Sequence, residues 1–324
     1  MSEHKTADDV EHIDFDDNRL VAELSGEHDA HLSILEDSLG VRIDPRGNRF
    51  SVRGGAAARG QTIRALNKLY ERLQQGEPVA AGDVRAAAKL SEKAPAAVAS
   101  VAPSIKTPKR VIAARTPNQA IYLTKLASHD LTFGVGPAGT GKTYLAVAHA
   151  VGLLLSGAVE RIILSRPALE AGERIGFLPG DMKEKVDPFL RPLYDALHDM
   201  MHADYVERRI AAGDIEIAPI AFMRGRTLAR SAVILDEAQN ATPAQMKMFL
   251  TRLGEGAHMA VTGDPSQTDL PDTVGSGLAD ALATLSGVEG VAEARFTASD
   301  VVRHPLVSRI IDAYDTRDQR SRRP

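Results

Sequence analysis

The chain has 324 residues, of which 44% are hydrophobic, 25% charged and only 4% aromatic, with no Trp and no Cys. That composition excludes a wholly disordered or collagen-like chain, and it rules out disulfide frameworks, thiol nucleophiles and Cys-based zinc or iron–sulfur sites. The net charge of −4 hides an imbalance, because residues 1–40 hold 12 Asp or Glu against 2 Lys or Arg and the rest is net +6, which leaves room for a local basic surface facing nucleic acid.

Residues 1–15 read as an acidic, disordered leader. Met1-Ser2-Glu3-His4 lacks a basic region ahead of an apolar core, and no apolar run nears the roughly 20 residues of a membrane span. The expectation is a cytoplasmic protein with no membrane partner. Residues 16–78 have the pattern of a small α/β unit. Arg19 to Leu24 alternates like a strand. Leu32, Ile34, Leu35 and Leu39 share one helix face, and Val41–Asp44 and Arg49–Val52 flank an Arg46-Gly47-Asn48 turn as a hairpin. Gln61 to Leu73 is an amphipathic helix through Ile63, Leu66, Leu69, Tyr70 and Leu73. Residues 79–110, rich in Ala, Pro, Ser and Lys, read as a linker. A second domain spans 111–316 and a basic tail 317–324.

Within the second domain, Gly136-Pro137-Ala138-Gly139-Thr140-Gly141-Lys142-Thr143 satisfies every fixed position of the phosphate-binding pattern G-x-x-x-x-G-K-[ST]. An apolar strand, Leu131–Val135, enters it, and an apolar helix, Tyr144–Leu155, leaves it. Glycines let several backbone N–H groups converge on one phosphate, and the helix N-terminus adds partial positive charge. Lys142 then reaches the β- and γ-phosphates of ATP, and Thr143 holds Mg²⁺. Ala232-Val233-Ile234-Leu235 reads as a buried parallel strand ending in Asp236-Glu237-Ala238-Gln239. Carboxylates at such a strand end face the ligand crevice of an open α/β sheet. Asp236 is the metal candidate and Glu237 the candidate for activating water. His258–Thr262 is a further strand, leading to Gly263-Asp264-Pro265-Ser266-Gln267. Gln267, able to donate and accept, is placed to sense the γ-phosphate or the water. Met246, Met248 and Phe249 follow a helix start at Thr242-Pro243 and read as core; His198 and His202 are spaced for a zinc-binding helix face but lack a third ligand.

These motifs occur in the order found in superfamily-one helicases. Arg166–Glu173, Gly176–Asp181, Lys183–Asp195, Phe222–Leu228 and Asp300–Val307 narrow the resemblance to the PhoH family, over about residues 105–315. The N-terminal unit is similar to the KH-like portion that precedes the ATPase in one subfamily. The resemblance implies a RecA-like P-loop ATPase with a parallel sheet, preceded by a small α/β KH-like domain. It implies that Thr116-Pro117-Asn118-Gln119 is an adenine-reading motif, with Gln119 on the adenine edge and Asn118 and Tyr122 near it; a plain helix cap at Thr116 accounts for the same residues. About 54 residues follow Leu270, too few for a second RecA-like domain. A ring, expected as a hexamer, then completes each site with an arginine in trans. Arg303 is favoured by its likeness to a late helicase arginine motif, with Arg224, Arg226 and Arg174 as alternatives. The family further implies RNA as a partner, along with the endoribonuclease YbeY and ribosome-associated factors. One departure stands out: the turn Ser25-Gly26-Glu27-His28-Asp29 has a single Gly and two acids where nucleic-acid-binding KH domains have G-x-x-G, and carboxylates there repel phosphate.

Three functions are consistent with this set. The first is ATP hydrolysis coupled to RNA remodelling or ribosomal RNA processing. The second is a nucleotide-dependent ring that recruits an endoribonuclease and turns over little. The third, a small-molecule kinase, is disfavoured because the Asp236-Glu237 pair and the Gln267 motif suit water activation better than acceptor binding.

Overall fold

The computed structural model describes residues 10–93, 103–167, 182–271 and 273–301. Among these, contacts group the chain up to Ser104 with Ala113–Ala120 as one unit, and Ile105–Ile112 with Ile121 onward as a second.

The first unit runs β1 (Val10–Asp14), α1 (Asn18–Ser25), α2 (Ala30–Leu39), β2 (Arg42–Arg46), β3 (Arg49–Arg53), α3 (Ala56–Gln74) and α4 (Ala81–Lys93). Its three strands form an antiparallel sheet in the order β1-β3-β2. The β-α-α-β-β-α run is KH-like. Phe15, Leu24, Leu35, Phe50, Leu66 and Leu69 form its core, with Phe15 against the rings of Phe50 and Tyr70 at centroid distances of 5.4 and 4.5 Å.

Three expectations are corrected here. The acidic leader does not extend to residue 15: Val10–Asp14 pairs with β3, and Phe15 is buried. Arg19–Leu24 is helix rather than strand, because Asp17 caps it by accepting from the Arg19 N–H at 2.8 Å and because Val21 and Leu24 fall on one helical face. The expected linker contains α4, whose Val84, Ala87 and Ala88 join the core of this unit.

Two short strands, β4 (Ser104–Lys106) and β5 (Val111–Ala113), and α5 (Pro117–Ser128) follow. The second unit then runs β6 (Leu131–Val135), α6 (Lys142–Ser156), β7 (Arg161–Arg166), α7 (Met182–Met200), α8 (Ala203–Ala212), β8 (Ile215–Pro219), β9 (Ser231–Leu235), α9 (Pro243–Leu250), β10 (His258–Gly263), α10 (Gly277–Thr284) and β11 (Val291–Arg295). Six strands form one sheet in the order β11-β6-β10-β9-β7-β8, with every neighbouring pair parallel. This is a RecA-like P-loop sheet. Strands β6, β9 and β10 are buried at nearly every position, as apolar runs of this kind require when both faces are covered. Met246 and Phe249 pack in that core, and α9 starts with a capping box in which Thr242 and Gln245 bond reciprocally. His198 and His202 do not share a helix face, since α7 ends at Met200 and His202 caps α8. None of the helices described is long and apolar enough to cross a membrane.

Candidate active site

The register of the sheet assembles the site. Thr262 and Gly263 on β10 lie level with Gly134 and Val135 on β6, and Val261 lies level with Leu235 on β9. The turns after β6, β9 and β10 therefore emerge side by side at the carboxyl edge, where open α/β sheets bind ligands. The first of these is the loop Gly136–Thr143. Gly136 has φ 138° and donates its N–H to the Gly263 carbonyl at 3.1 Å. A side chain there would collide with the Phe296 carbonyl. Gly139 and Gly141 have φ 79° and 86°, a region that favours glycine. Pro137, Ala138 and Thr140 complete the bend, with the Thr140 hydroxyl donating to the Pro137 carbonyl at 2.9 Å. Lys142 opens α6 and is 8% exposed. Its Nζ donates to the Gly136 and Pro137 carbonyls at 2.6 and 2.8 Å, so the ammonium lies across the mouth of the loop. Burial pulls it below the usual lysine range, against the opposing pull of Asp264, Asp236 and Glu237.

Asp236 is the hub. Its Oδ1 accepts from the Thr143 hydroxyl at 2.5 Å and from the Thr262 hydroxyl at 2.7 Å. Its Oδ2 accepts from Arg166 Nε at 2.8 Å and Nη2 at 2.5 Å. The two residues expected to share a metal, Thr143 and Asp236, are thus already together although 93 positions apart. A hydroxyl and a carboxylate are the hard oxygen donors that suit Mg²⁺. Arg166, at the end of β7, was not among the expected site residues, and its Nη2 is also 3.7 Å from Glu237 Oε1.

Glu237 sits at φ 53°, an uncommon conformation for a side-chain-bearing residue. Its carboxylate is half-exposed toward the site edge, and its Oε2 accepts from Gln239 Nε2 at 2.7 Å. Gln239 in turn accepts from the Asp264 N–H at 3.0 Å through Oε1. Gly263 is required beside it, since an added Cβ would stand 2.6 Å from that Oε1. Ser266 N–H and hydroxyl both bond Asp264 Oδ1, at 3.0 and 2.7 Å. Gln267 follows on this loop with its side chain exposed and its N–H on the Asp264 carbonyl at 3.0 Å.

The remaining expected residues divide. Gln119 is buried, with Oε1 accepting from the Arg115 N–H at 2.7 Å and its N–H bonding the Thr116 hydroxyl at 3.2 Å. That is the geometry of a helix cap at the start of α5; Asn118 is half-buried beside it. Tyr122 has no exposed face. Its ring packs edge-on to Phe296 at 5.4 Å, and a Cβ on Gly134 would stand 2.8 Å from its Cζ. Burial, then the Asp236 charge, pushes the Tyr122 hydroxyl far above the usual phenol range. Arg226 is engaged away from the site edge by Glu216 at 2.6 and 2.7 Å, and Arg224 is exposed. Arg303 and Arg174 lie outside the described residues, as do residues 168–181, which hold the rest of the Arg166–Glu173 motif and all of Gly176–Asp181.

The family profile for PhoH-like protein matches residues 111–315. A PhoH-like protein of Bacillus subtilis is 50% identical over 296 residues, covering 90% of this chain and 93% of its own. One from Mycobacterium tuberculosis is 45% identical over 299 residues, covering 91% and 85%. Protein PhoH of Escherichia coli is 49% identical over 205 residues, covering 63% and 58%. Among solved structures, a Sulfolobus solfataricus SWI2/SNF2 ATPase core in complex with dsDNA aligns with 49% of this chain and 32% of its own, at 15% identity and a TM-score of 0.30, too remote to bear on function.

Proposed function

The chain belongs to the PhoH-like protein family, and from that premise we propose that it is a Mg²⁺-dependent ATP hydrolase whose turnover is coupled to the remodelling of RNA. One observation carries the hydrolytic part. The Thr143 hydroxyl at the end of the phosphate loop bonds Asp236 at the end of β9, and Glu237 follows directly. A phosphate cradle, a metal-holding pair and a half-exposed carboxylate are then within one strand end of each other, the set that phosphoryl transfer to water uses.

In this reading the loop amides and Lys142 clasp the β- and γ-phosphates, and the Lys142 ammonium leaves the Gly136 and Pro137 carbonyls to do so. Thr143 and Asp236 hold Mg²⁺, which when bound draws off charge from the phosphate oxygens. Glu237 accepts a hydrogen bond from the attacking water and takes its proton. Its carboxylate is aimed by Gln239, so the base is positioned before substrate arrives. Gln267 completes the γ-phosphate side as the loop after β10 settles on the ligand. A neighbouring copy in a hexameric ring supplies Arg303. RNA coupling rests on the family likeness to helicases and on the basic balance of the chain beyond residue 40.

The test is ATP hydrolysis with and without RNA and Mg²⁺, on wild type and Glu237→Gln. The expected result is Mg²⁺-dependent hydrolysis, stimulated by RNA, that falls at least about 100-fold in Glu237→Gln while nucleotide binding persists. Hydrolysis that ignores RNA, with ATP-dependent capture of an endoribonuclease intact, replaces remodelling with the scaffold function. Unimpaired hydrolysis in Glu237→Gln removes Glu237 as the base.

A further inference from the structure

We propose that Arg166 is a placeholder for the metal: its guanidinium neutralises Asp236 while the site is empty, and a divalent cation has to displace it from that carboxylate in order to bind. Arg166 thereby sets how much metal the protein needs. This rests on reading the site as one for Mg²⁺ and nucleotide.

The Asp236 side chain is 3% exposed, and a carboxylate so far from water requires a counter-ion. Its oxygens are divided between two kinds of donor. Oδ1 faces the hydroxyls of Thr143 and Thr262, while Oδ2 is taken by two N–H groups of one guanidinium at 2.8 and 2.5 Å. A dication held between Thr143 and Asp236 would share that carboxylate with Arg166. A guanidinium cannot relieve the conflict by losing its proton. At 16% exposure it is also poorly screened by water, so the repulsion between the two cations is strong.

The surroundings give the displaced group somewhere to go. Arg166 and Thr143 line one open cavity of about 520 Å³ together with Tyr144, Pro192, Asp195, Ala196 and Asp199. Asp199 is held by the Tyr144 hydroxyl at 2.6 Å and by Arg110 at 2.7 Å. Asp195 is exposed and has no ion pair among the described residues, so it offers a new anion to the guanidinium. Arg166 also lies 3.7 Å from Glu237, and its departure from Asp236 changes the charge next to the base at the moment the site is loaded.

The experiment titrates Mg²⁺ against binding of a fluorescent ADP analogue, with no turnover, in wild type, Arg166→Gln and Arg166→Lys. The half-saturating Mg²⁺ concentration is expected to fall by about tenfold in Arg166→Gln and to stay near wild type in Arg166→Lys. An unchanged or higher requirement in Arg166→Gln overturns the proposal. Because Arg166→Gln strips a buried carboxylate of its counter-ion, a wild-type measurement accompanies it. The Arg166 Nε–H resonance is expected to be protected from exchange in the free protein and with ADP alone, and to lose protection when Mg²⁺ is added with ADP. A resonance that keeps its protection under Mg²⁺ and ADP overturns the proposal without any variant. Wild type that binds nucleotide with no regard to Mg²⁺ overturns both this proposal and the reading of the site. Normal Mg²⁺-dependent binding with an insensitive Arg166 overturns the proposal alone.

Discussion

Replacing Thr262 by Val keeps the size and β-branching of a side chain that is fully buried on β10 and removes one hydroxyl. That hydroxyl donates to Asp236 Oδ1 at 2.7 Å; its other approach, to the Leu235 carbonyl, is a weak 3.4 Å. A hydrogen bond to a charged acceptor contributes about 1.5–3 kcal/mol. Asp236 keeps Thr143 and Arg166 as donors, so a loss of about 2 kcal/mol is expected, or about 4–8 °C in the melting of a unit of this size. The stability loss is accompanied by weaker Mg²⁺-dependent nucleotide binding, because Asp236 Oδ1 is then fixed by Thr143 alone. Thr262→Ser restores the hydroxyl and should recover binding while losing about 1 kcal/mol for the missing methyl group. Thermal or urea unfolding followed by fluorescent ADP titration reads both effects. If Thr262→Val melts within 1 °C of wild type and binds ADP normally, the hydroxyl does not hold Asp236 and the hub described above is wrong.

Two further outcomes follow from buried groups. His149 packs against His258 with ring centroids 6.3 Å apart, and burial, then the proximity of His258, pulls it down to about 4. The unfolded chain therefore takes up a proton near pH 6.5 that the folded chain refuses until about pH 4. The contribution is intact above pH 6.5 and is lost as pH falls through that window, by up to about 3 kcal/mol. Urea unfolding of His149→Leu between pH 4 and 7 should show a flatter dependence than wild type, and equal slopes would refute the assignment. The Tyr122 hydroxyl is buried with no hydrogen-bond partner among the described residues. Tyr122→Phe should then be neutral or stabilising by up to about 1 kcal/mol, and a clear loss of stability would reveal a partner.

The second unit was far more legible in sequence than the first, for reasons that lie in particular residues. The phosphate loop is written in consecutive positions, and β6, β9 and β10 are buried on both faces, so each reads as a mostly apolar run. In the first unit, β1 is an edge strand with only Ile13 of its five residues buried, and its exposed Glu11, His12 and Asp14 look like leader. The six residues Arg19–Leu24 are too few to separate a period of 2 from one of 3.6. The buried face of α4 is built largely from alanine, whose burial leaves almost no hydropathy signal. Within the site, Lys142, Thr143, Asp236 and Glu237 could be named from local motifs. Arg166 could not, because its bond to Asp236 spans 70 positions and exists only once β7 and β9 are neighbours. Tyr122 and Gln119 were named by resemblance, and their burial is a product of packing that no motif encodes.

The thread from Glu237 through Gln239 to the Asp264 amide ties two turns that leave different strands. It makes a mechanical link: under the proposed function, a shift in the turn after β10 reaches the Glu237 carboxylate through a single glutamine side chain. Anything that grips the segment after β10 from outside therefore pulls on Glu237 through Gln239.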